Sequence, residues 1–505
     1  MKNEIELKLQ ISERDVWRLL RLPMLNAVTL KKFPSQQLNN TYYDTADFRL
    51  CKRGIAVRLR QIGRTWLQTV KTEGRVIAGL HERPEWEIET REGTIDFSRL
   101  PDAQLKSLLE KTLDGASLQV VFGTDFTRLI RVLQLNNGTQ CEFCLDRGKI
   151  SAVSAQVNIC EVELEIIAGD PLALFDFVRA LLEQVPLTLA RDSKAARGFA
   201  LALGATPRPV KAQKIALDKH MTVEQGFVAI AAACMDNLSA NAAGCIAGED
   251  AEYLHQMRVA IRRLRTAIHL FSDHLDAEKM IAIVDELRWL SGQLGMTRDL
   301  DVFLSETLLP TLAAWPKHQG LQRIRDSITA RRNAAMAASR AALQSARYQR
   351  LLLDLGARLV AISGEAGGPS GADESITLLE FARVALKQHR KQLIRRANHL
   401  LELTPEERHR VRISGKRLRY AAGFFLPLFS TKRSEPYVRA LANLQTSLGA
   451  LNDAATTKTI LSQLADEESN ESAAIVQAWA LGVSHGELTH LPQAYEQFVQ
   501  QQTFW

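Results

Sequence analysis

A strand that alternates charge with hydrophobe commits one whole face to water or to a polar interior, and this chain repeats that commitment from Glu4 to Ile166. Glu4, Glu6 and Lys8 share one face of the opening strand, with Ile5, Leu7 and Leu9 on the other. Arg58 and Arg60 stand against Val57 and Leu59, and Thr69 and Lys71 against Trp66 and Val70. Arg83, Glu85, Glu87 and Glu89 do the same against Trp86 and Ile88, as do Glu161, Glu163 and Glu165 against Val162, Leu164 and Ile166. The segments between supply Arg128 and Asp146.

Helical patterns at 12–21, 102–113 and 171–185 can cover the apolar faces, the first read as capped by Ser12 and stopped near Pro23. The charged faces then lie on the far side of the sheet. If the sheet closes, they line a lumen, and a lumen needs both signs of charge to offset desolvation. The residues named supply both. The expected fold for this half is α+β: an antiparallel β-barrel or tunnel with covering helices.

Such a lumen has a chemistry. Clustered carboxylates are hard oxygen ligands suited to Mg²⁺ or Mn²⁺, while fixed Arg and Lys neutralise and orient phosphate oxygens. Together they permit metal-assisted in-line displacement at phosphorus. The residues alone therefore point to a metal-dependent site for a compact, highly charged phosphate compound.

At 505 residues the chain is too long for one core. Its 46% hydrophobic and 24% charged content is that of a globular protein, and no apolar run approaches the length of a membrane helix. Six cysteines without regular spacing argue for a reducing compartment, so a cytoplasmic protein with no membrane partner is expected. Cys141-x-x-Cys144 has no second pair for zinc, and alternation puts its two thiols on opposite faces. There is no phosphate-binding glycine loop and no nucleophile triad. A formal charge of +7 and a pI near 9.1 suggest an anionic partner.

Residues 204–214, with two prolines and a basic tilt, read as a linker. Beyond them helical periodicity takes over, interrupted by a glycine-rich stretch from Ser363 to Asp373 that reads as flexible. The two sides of that stretch repeat one another. His255, Arg258, Arg262 and Arg265 align without a gap on His409, Arg412, Lys416 and Arg419, and the same offset carries Leu287, Leu290, Leu294, Gly295 and Asp299 onto Leu441, Leu444, Leu448, Gly449 and Asp453. The expected domains are 1–203, a linker at 204–214, and an all-α tandem helical-bundle repeat at 215–505, split at about 215–362 and 374–505. On a helix each basic set forms one stripe, and neither 253–272 nor 408–434 contains an acid to compensate it. Uncompensated stripes favour an external polyanion over a merely solvated face.

The N-terminal half resembles the CYTH family, the triphosphate tunnel metalloenzymes that include thiamine triphosphatases, class IV adenylate cyclases and inorganic triphosphatases. The resemblance rests on Glu4-x-Glu6-x-Lys8, Tyr42-Tyr43-Asp44-Thr45, Arg58-Leu59-Arg60, Thr69-Val70-Lys71, Arg83-x-Glu85, Arg128, Asp146 and the 161–165 glutamates, in that order. It implies that Glu4, Glu6 and Lys8 are catalytic, and that Glu4, Glu6, Asp146, Glu161, Glu163 and Glu165 hold the metal. It further implies that Lys8, Arg58, Arg60, Lys71 and Arg128 bind phosphates, with Arg191 and Lys194 matching a basic pair after the last helix. The helical half resembles the CHAD module, which is associated with polyphosphate binding, and the module order resembles that of enterobacterial CYTH–CHAD inorganic triphosphatases. Gly415 and Gly423 stand where the first repeat has Ile261 and His269, so the two stripes need not act alike.

The resulting expectation is an inorganic triphosphatase that uses Mg²⁺ or Mn²⁺, with a long-chain polyphosphate-binding module. The alternatives are thiamine triphosphate hydrolysis or ATP cyclisation in the same tunnel, and a non-enzymatic polyphosphate- or RNA-binding protein. Nucleic acid is disfavoured because the helical half keeps its aromatic residues away from its arginines.

Overall fold

In the computed structural model the described residues are 2–90, 93–153, 155–248, 250–365, 376–463 and 470–505. They divide into two compact units, Met1–Arg208 with Ala346–Ala361, and Pro209–Ser345 with Ile362–Trp505.

The first unit is built on eleven strands: β1 (Lys2–Ile11), β2 (Thr29–Lys32), β3 (Gln36–Asp44), β4 (Ala56–Ile62), β5 (Thr65–Lys71), β6 (Arg75–Ile77), β7 (Leu80–Thr90), β8 (Gln119–Gln134), β9 (Gln140–Ser151), β10 (Gln156–Ala168) and β11 (Leu187–Leu189). All the pairings are antiparallel. β1 closes the structure, pairing with β10 on one side and with β7 on the other. The circuit β1-β10-β9-β8-β3-β4-β5-β7-β1 is thus an eight-stranded barrel. Closure removes the sheet edges, and the period-2 alternation then sends every charged face inward.

The apolar faces point outward, and helices cover them. Leu7, Leu9, Phe143, Leu145, Val162 and Leu164 are fully or almost fully buried beneath Leu174, Phe175, Val178 and Leu181 of the Leu172–Leu182 helix. The Ala103–Leu113 helix lays Leu105 and Leu109 over Val57, Val70 and Trp86, its start capped by Asp102, which accepts from Gln104 N and Leu105 N. Ser12 makes no cap: Glu13–Asp15 form a 3₁₀ turn before the Val16–Arg21 helix. The helix ends at Arg21, with Leu22 extended before Pro23, and Pro23 begins another, Pro23–Ala27, because its fixed φ and missing N–H suit a first helical position. Asp44 is fully buried and accepts from the backbone N–H groups of Thr45, Leu50 and Cys51, so in the Tyr42–Thr45 run it clamps the following turn.

One covering element comes from far along the chain. Residues 346–361 group with this unit rather than with the helical repeat in which the sequence placed them. Leu353 is fully buried in the same apolar cluster as Phe175, and Gln349 Oε1 accepts from Leu189 N at the β11 edge. Asp354 accepts from Arg179 Nε at 2.8 Å. At Gly356 a Cβ would lie 2.3 Å from that of Ala78, so only glycine allows the approach.

The second unit is helical, and its two repeats share one order. Val223–Ala247, Ala251–Leu270, Ala277–Val302 and Gln319–Leu343 are followed by Leu378–Arg396, Pro405–Phe425, Thr431–Ser462 and Asn470–Gln500. Both repeats open on a threonine capping box, Thr222 with Gln225 and Thr377 with Glu380, and the two threonines pair across an antiparallel bridge. Phe227 and Phe271 occupy the positions of Phe381 and Phe425, and all four join one aromatic cluster, with Phe271 4.7 Å from Phe381 and 6.2 Å from Phe425. Val210, in the sequence-defined linker, is fixed by Asn237 Nδ2 and Asn241 Nδ2 on its carbonyl and by Asn241 Oδ1 on its N–H. Of the stretch read as flexible, Ser363–Glu365 continue the Ala346–Glu365 helix, and the rest lies outside the described residues.

Truncating Leu353 should therefore weaken the barrel unit although it lies far from it in sequence. Leu353→Ala is expected to cost about 2–5 kcal/mol, the range for a buried leucine, in urea melts that follow the barrel. A loss below about 0.5 kcal/mol, the level of ordinary surface substitutions, would mean that the helix is not part of that core.

Candidate active site

The lumen is organised from β1. Glu4, Glu6 and Lys8 are each at most 5% exposed, so every charge they carry needs a partner. Register supplies them. Glu4 faces Arg83 across β7, and Lys8 faces Glu163 across β10. Arg83 Nε and Nη2 reach Glu4 Oε2 and Glu6 Oε1, both at 3.0 Å. Lys71 Nζ lies 2.7 Å from Glu4 Oε2, and Lys8 Nζ is 2.7 Å from Glu6 Oε2 and in contact with Glu163. Arg128 grips Asp146 with two nitrogens, at 2.7 and 2.6 Å, and reaches Glu163 Oε2 at 2.5 Å.

A second layer is set by the Lys194–Ala202 helix. Gly198 lets it sit against Phe122, whose ring would lie 2.1 Å from a Cβ there. Ser193 caps its start, and Lys194 enters the lumen. Its ammonium meets Asp146 Oδ2 at 2.6 Å, Glu163 Oε1 at 3.0 Å, and Glu161. Asp146, Glu161 and Glu163 form a buried cluster with one oxygen of each within 4.8 Å of the others, and Lys194 is its resident cation. Glu161 is also held by Arg197.

These contacts decide which groups are charged. Burial opposes ionisation of Glu4, but Lys71, Arg83 and Lys8 hold it well below the usual carboxylate range. Burial likewise opposes ionisation of Glu163, and Lys194, Lys8 and Arg128 outweigh it. Elsewhere the cations crowd one another. Arg60 is pushed down to about 10 by burial and by Arg58 and Arg128, and its Nε donates only to the neutral Asn40 Oδ1 at 2.8 Å. Burial and Arg83 hold Lys71 below its ordinary value despite Glu4.

The cavity has a volume of about 460 Å³, within the range of small-ligand clefts. Seven carboxylates (Glu4, Glu6, Glu85, Glu87, Glu142, Glu163, Glu165) and seven cations (Lys8, Arg58, Arg60, Lys71, Arg83, Arg128, Lys194) line it. Among the residues expected from sequence, Glu4, Glu6, Lys8, Arg58, Arg60, Lys71, Arg128, Glu163, Glu165 and Lys194 come together on this wall. Asp146 and Glu161 lie behind it, bound to Lys194. Arg191 is exposed and pairs with Asp192 at 2.8 Å, outside the lining. Sequence reasoning leaves Arg83, Glu85, Glu87 and Glu142 without roles, although their alternation with apolar neighbours puts them on the lumen face. Arg197 has only its helical i+3 spacing from Lys194 to mark it.

In the helical unit the stripes are partly engaged. Arg258 Nη2 lies 3.6 Å from Asp299 and its Nη1 donates to Ser291 O at 3.4 Å, both on the Ala277–Val302 helix. Arg419 Nη1 donates to Gln445 Oε1 at 3.1 Å. Arg262 and Arg265 have no ion-pair partner among the described residues. No helix among those residues is long and apolar enough to cross a membrane.

A closed barrel whose inner wall carries balanced acids and bases, followed by paired helical repeats, defines a two-module protein with a polar tunnel. Residues 2–199 match the CYTH domain and residues 229–462 the CHAD domain, and the chain is a CYTH domain followed by a CHAD domain. It is 36% identical over 203 residues to the inorganic triphosphatase of Haemophilus influenzae, a match covering 40% of this chain and 55% of that protein, about half its length. An uncharacterised Mycobacterium tuberculosis protein is 27% identical over 434 residues, 78% of this chain and 77% of that one. The crystal structure of the CHAD domain from the plant Ricinus communis superposes with a TM-score of 0.52 at 30% identity, covering 59% of this chain and 99% of that domain.

One lumen neighbour makes the unit sensitive to acid. His81 is 4% exposed, its Nε2 3.3 Å from Ala190 O, and burial together with the Lys8 charge pushes it down to about 4. The unfolded chain therefore takes up this proton first as the pH falls. Stability is intact above pH 6.5 and is lost toward pH 4, by up to about 1.4 kcal/mol per pH unit from this group. In urea melts with EDTA, His81→Gln should flatten that slope, and an unchanged slope would acquit His81.

Proposed function

We propose that the CYTH unit hydrolyses inorganic triphosphate to diphosphate and phosphate, using Mg²⁺ or Mn²⁺. The observation that carries this reading is the charge balance of the lining. Seven carboxylates cancel seven cations, yet each terminal phosphoryl group brings roughly 1.5 to 2 negative charges and the bridging one about 1. Bound triphosphate would leave such a cavity strongly negative unless divalent cations entered with it. The donors suit that role: Glu4, Glu6, Glu163 and Glu165 offer hard carboxylate oxygens to the lumen, and Glu163 shares Lys194 with Asp146 and Glu161 behind the wall. When bound, the metal would polarise a phosphoryl oxygen and lower the pKa of water.

The chain's own residues do the rest. Arg58, Arg60, Lys71 and Arg128 grip phosphoryl oxygens, and their mutual repulsion at Arg60 is relieved once an anion lies between them. Lys8, fixed between Glu6 and Glu163, would supply the cation that a leaving phosphate needs.

The ring faces on the lumen favour an inorganic substrate over a nucleotide or thiamine compound. Tyr42 stacks on Phe122 with centroids 4.3 Å apart. Phe126 carries Lys194 and Arg128 over its ring, at 5.2 and 5.7 Å, and Trp86 packs with Leu100 and Leu105. Each of these rings already has a close neighbour, which reduces the surface open to a base. A phosphate-release panel over inorganic triphosphate, thiamine triphosphate, ATP and long-chain polyphosphate, with each metal, tests the choice; faster turnover of either organic substrate would overturn it.

Glu4→Gln and Glu6→Gln each remove one charge and one donor at nearly constant volume. Turnover is expected to fall by about 100-fold or more while the fold persists, since even outer-sphere partners of a metal site are worth about 10–100-fold. Full activity in both variants, read beside their circular dichroism, would discard the site.

The CHAD unit, on our reading, binds long-chain polyphosphate through His255, Arg258, Arg262 and Arg265 and through His409, Arg412, Lys416 and Arg419. A flexible polyanion can follow both stripes and release counterions as it docks. Arg258→Glu, Arg262→Glu and Arg265→Glu combined should weaken binding and flatten its salt dependence by roughly 0.7 per lost contact, by analogy with single-stranded nucleic acid. Equal affinity for single-stranded RNA of matched charge would reduce the module to a general polyanion binder.

A further inference from the structure

The helical unit holds a second cavity, of about 590 Å³, at the place where the two basic helices converge. Arg262, Arg265 and His269 reach it from the Ala251–Leu270 helix, and Lys416, Arg417 and Tyr420 from the Pro405–Phe425 helix. Among the described residues, nothing that lines it is acidic. Arg262, Arg265 and Arg417 have no ion-pair partner among the described residues, and Arg262 Nε is buried without a hydrogen-bond partner. Arg288, at the rim, is neutralised by Asp285. The remaining cations feel one another. Burial, then Arg288 and Arg417, lowers Arg265, and burial, then His269 and Arg417, pushes the neighbouring His389 down to about 4.

The rest of the wall is of another kind. Ile268, Leu275, Met280, Val284 and Ile413 form an aliphatic surface, and Ile281 and Ile413 remain exposed beside it. A purely inorganic chain gains nothing from those side chains, whereas an apolar ligand group that covers them leaves water. A fatty-acid carboxylate would meet the aliphatic surface but match only one of several cations. We propose that this cavity binds an organic phosphate: a phosphoryl or pyrophosphoryl head against Arg265 and Arg417, carried on an apolar body that lies over Leu275, Met280 and Val284. The site shares Arg262, Arg265 and Lys416 with the polyphosphate stripes and rests on reading them as an anion surface, but it adds selectivity for what the phosphate is attached to.

The test uses the full chain in EDTA and hydrogen–deuterium exchange, which reads peptides 272–288 and 413–420 separately from the barrel strands. The probes are geranyl diphosphate, ADP, inorganic diphosphate and long-chain polyphosphate. At least one organic diphosphate should protect those peptides at a concentration tenfold or more below that of inorganic diphosphate; geranyl diphosphate would assign an aliphatic body, ADP a planar one. Arg417→Ala should abolish protection by both classes, and Val284→Asn, polar but uncharged, should erase the organic preference while inorganic diphosphate still binds. If organic and inorganic diphosphates act at equal concentration the proposal fails, and the stripe reading stands provided polyphosphate still protects. Protection by an organic ligand without any by polyphosphate keeps the cavity and removes the stripes. No protection by any probe removes both.

Discussion

Mutual burial of opposite charges is the constraint on which the barrel depends. A carboxylate or ammonium taken out of water alone costs several kcal/mol, and fourteen such groups line one cavity. They are tolerated because cross-strand register sets Lys8 beside Glu163, Arg83 beside Glu4 and Arg128 beside Asp146. A one-residue slip in any of these strands would turn its charges into the apolar layer and its hydrophobes into the lumen. The site is thus preorganised by the same pairs that fix the fold. The alignment of strands and the geometry of the chemistry are one specification.

That coupling explains why so much of the barrel was legible. The period-2 pattern is local, so Glu4, Lys71, Arg83 and Glu163 could be assigned to one face from their neighbours alone. What a pattern cannot show is which partner a buried charge chooses. Lys194 reads as a phosphate ligand by position, and the structure adds what no local pattern shows, that its ammonium also sits among the carboxylates of Asp146, Glu161 and Glu163. Arg191, three residues earlier, falls outside the lining because the helix that aims Lys194 inward begins only after Ser193. Pro23 marks a helix boundary as its chemistry implies, but Ser12 leads into a 3₁₀ turn and makes no side-chain cap.

In the helical unit the repeat was legible through its constant offset, and the basic stripes through their helical spacing. Their partial neutralisation was not, because Asp299 and Ser291 approach Arg258 from the next helix. A window on one helix sees no such neighbour. The phenylalanine cluster shows the reverse: Phe227, Phe271, Phe381 and Phe425 look like ordinary core residues singly, and only as equivalent pairs do they mark where the repeats meet. The Ala346–Ala361 segment has the amphipathic pattern of any bundle helix, and nothing in that pattern states which core it serves.

That segment also sets a timetable. A ribosome delivers the barrel strands first, but the helix that buries Leu353 beside Phe175 emerges only after the whole first set of helices has been made. At about 5–20 residues per second the delay is on the order of ten seconds, long compared with the folding of most small domains. For that interval an apolar strip of the nascent barrel stays uncovered. Any insertion or pause between Arg208 and Ala346 lengthens the wait, so the quality of the first-made unit is governed by the pace at which a later stretch of the message is read.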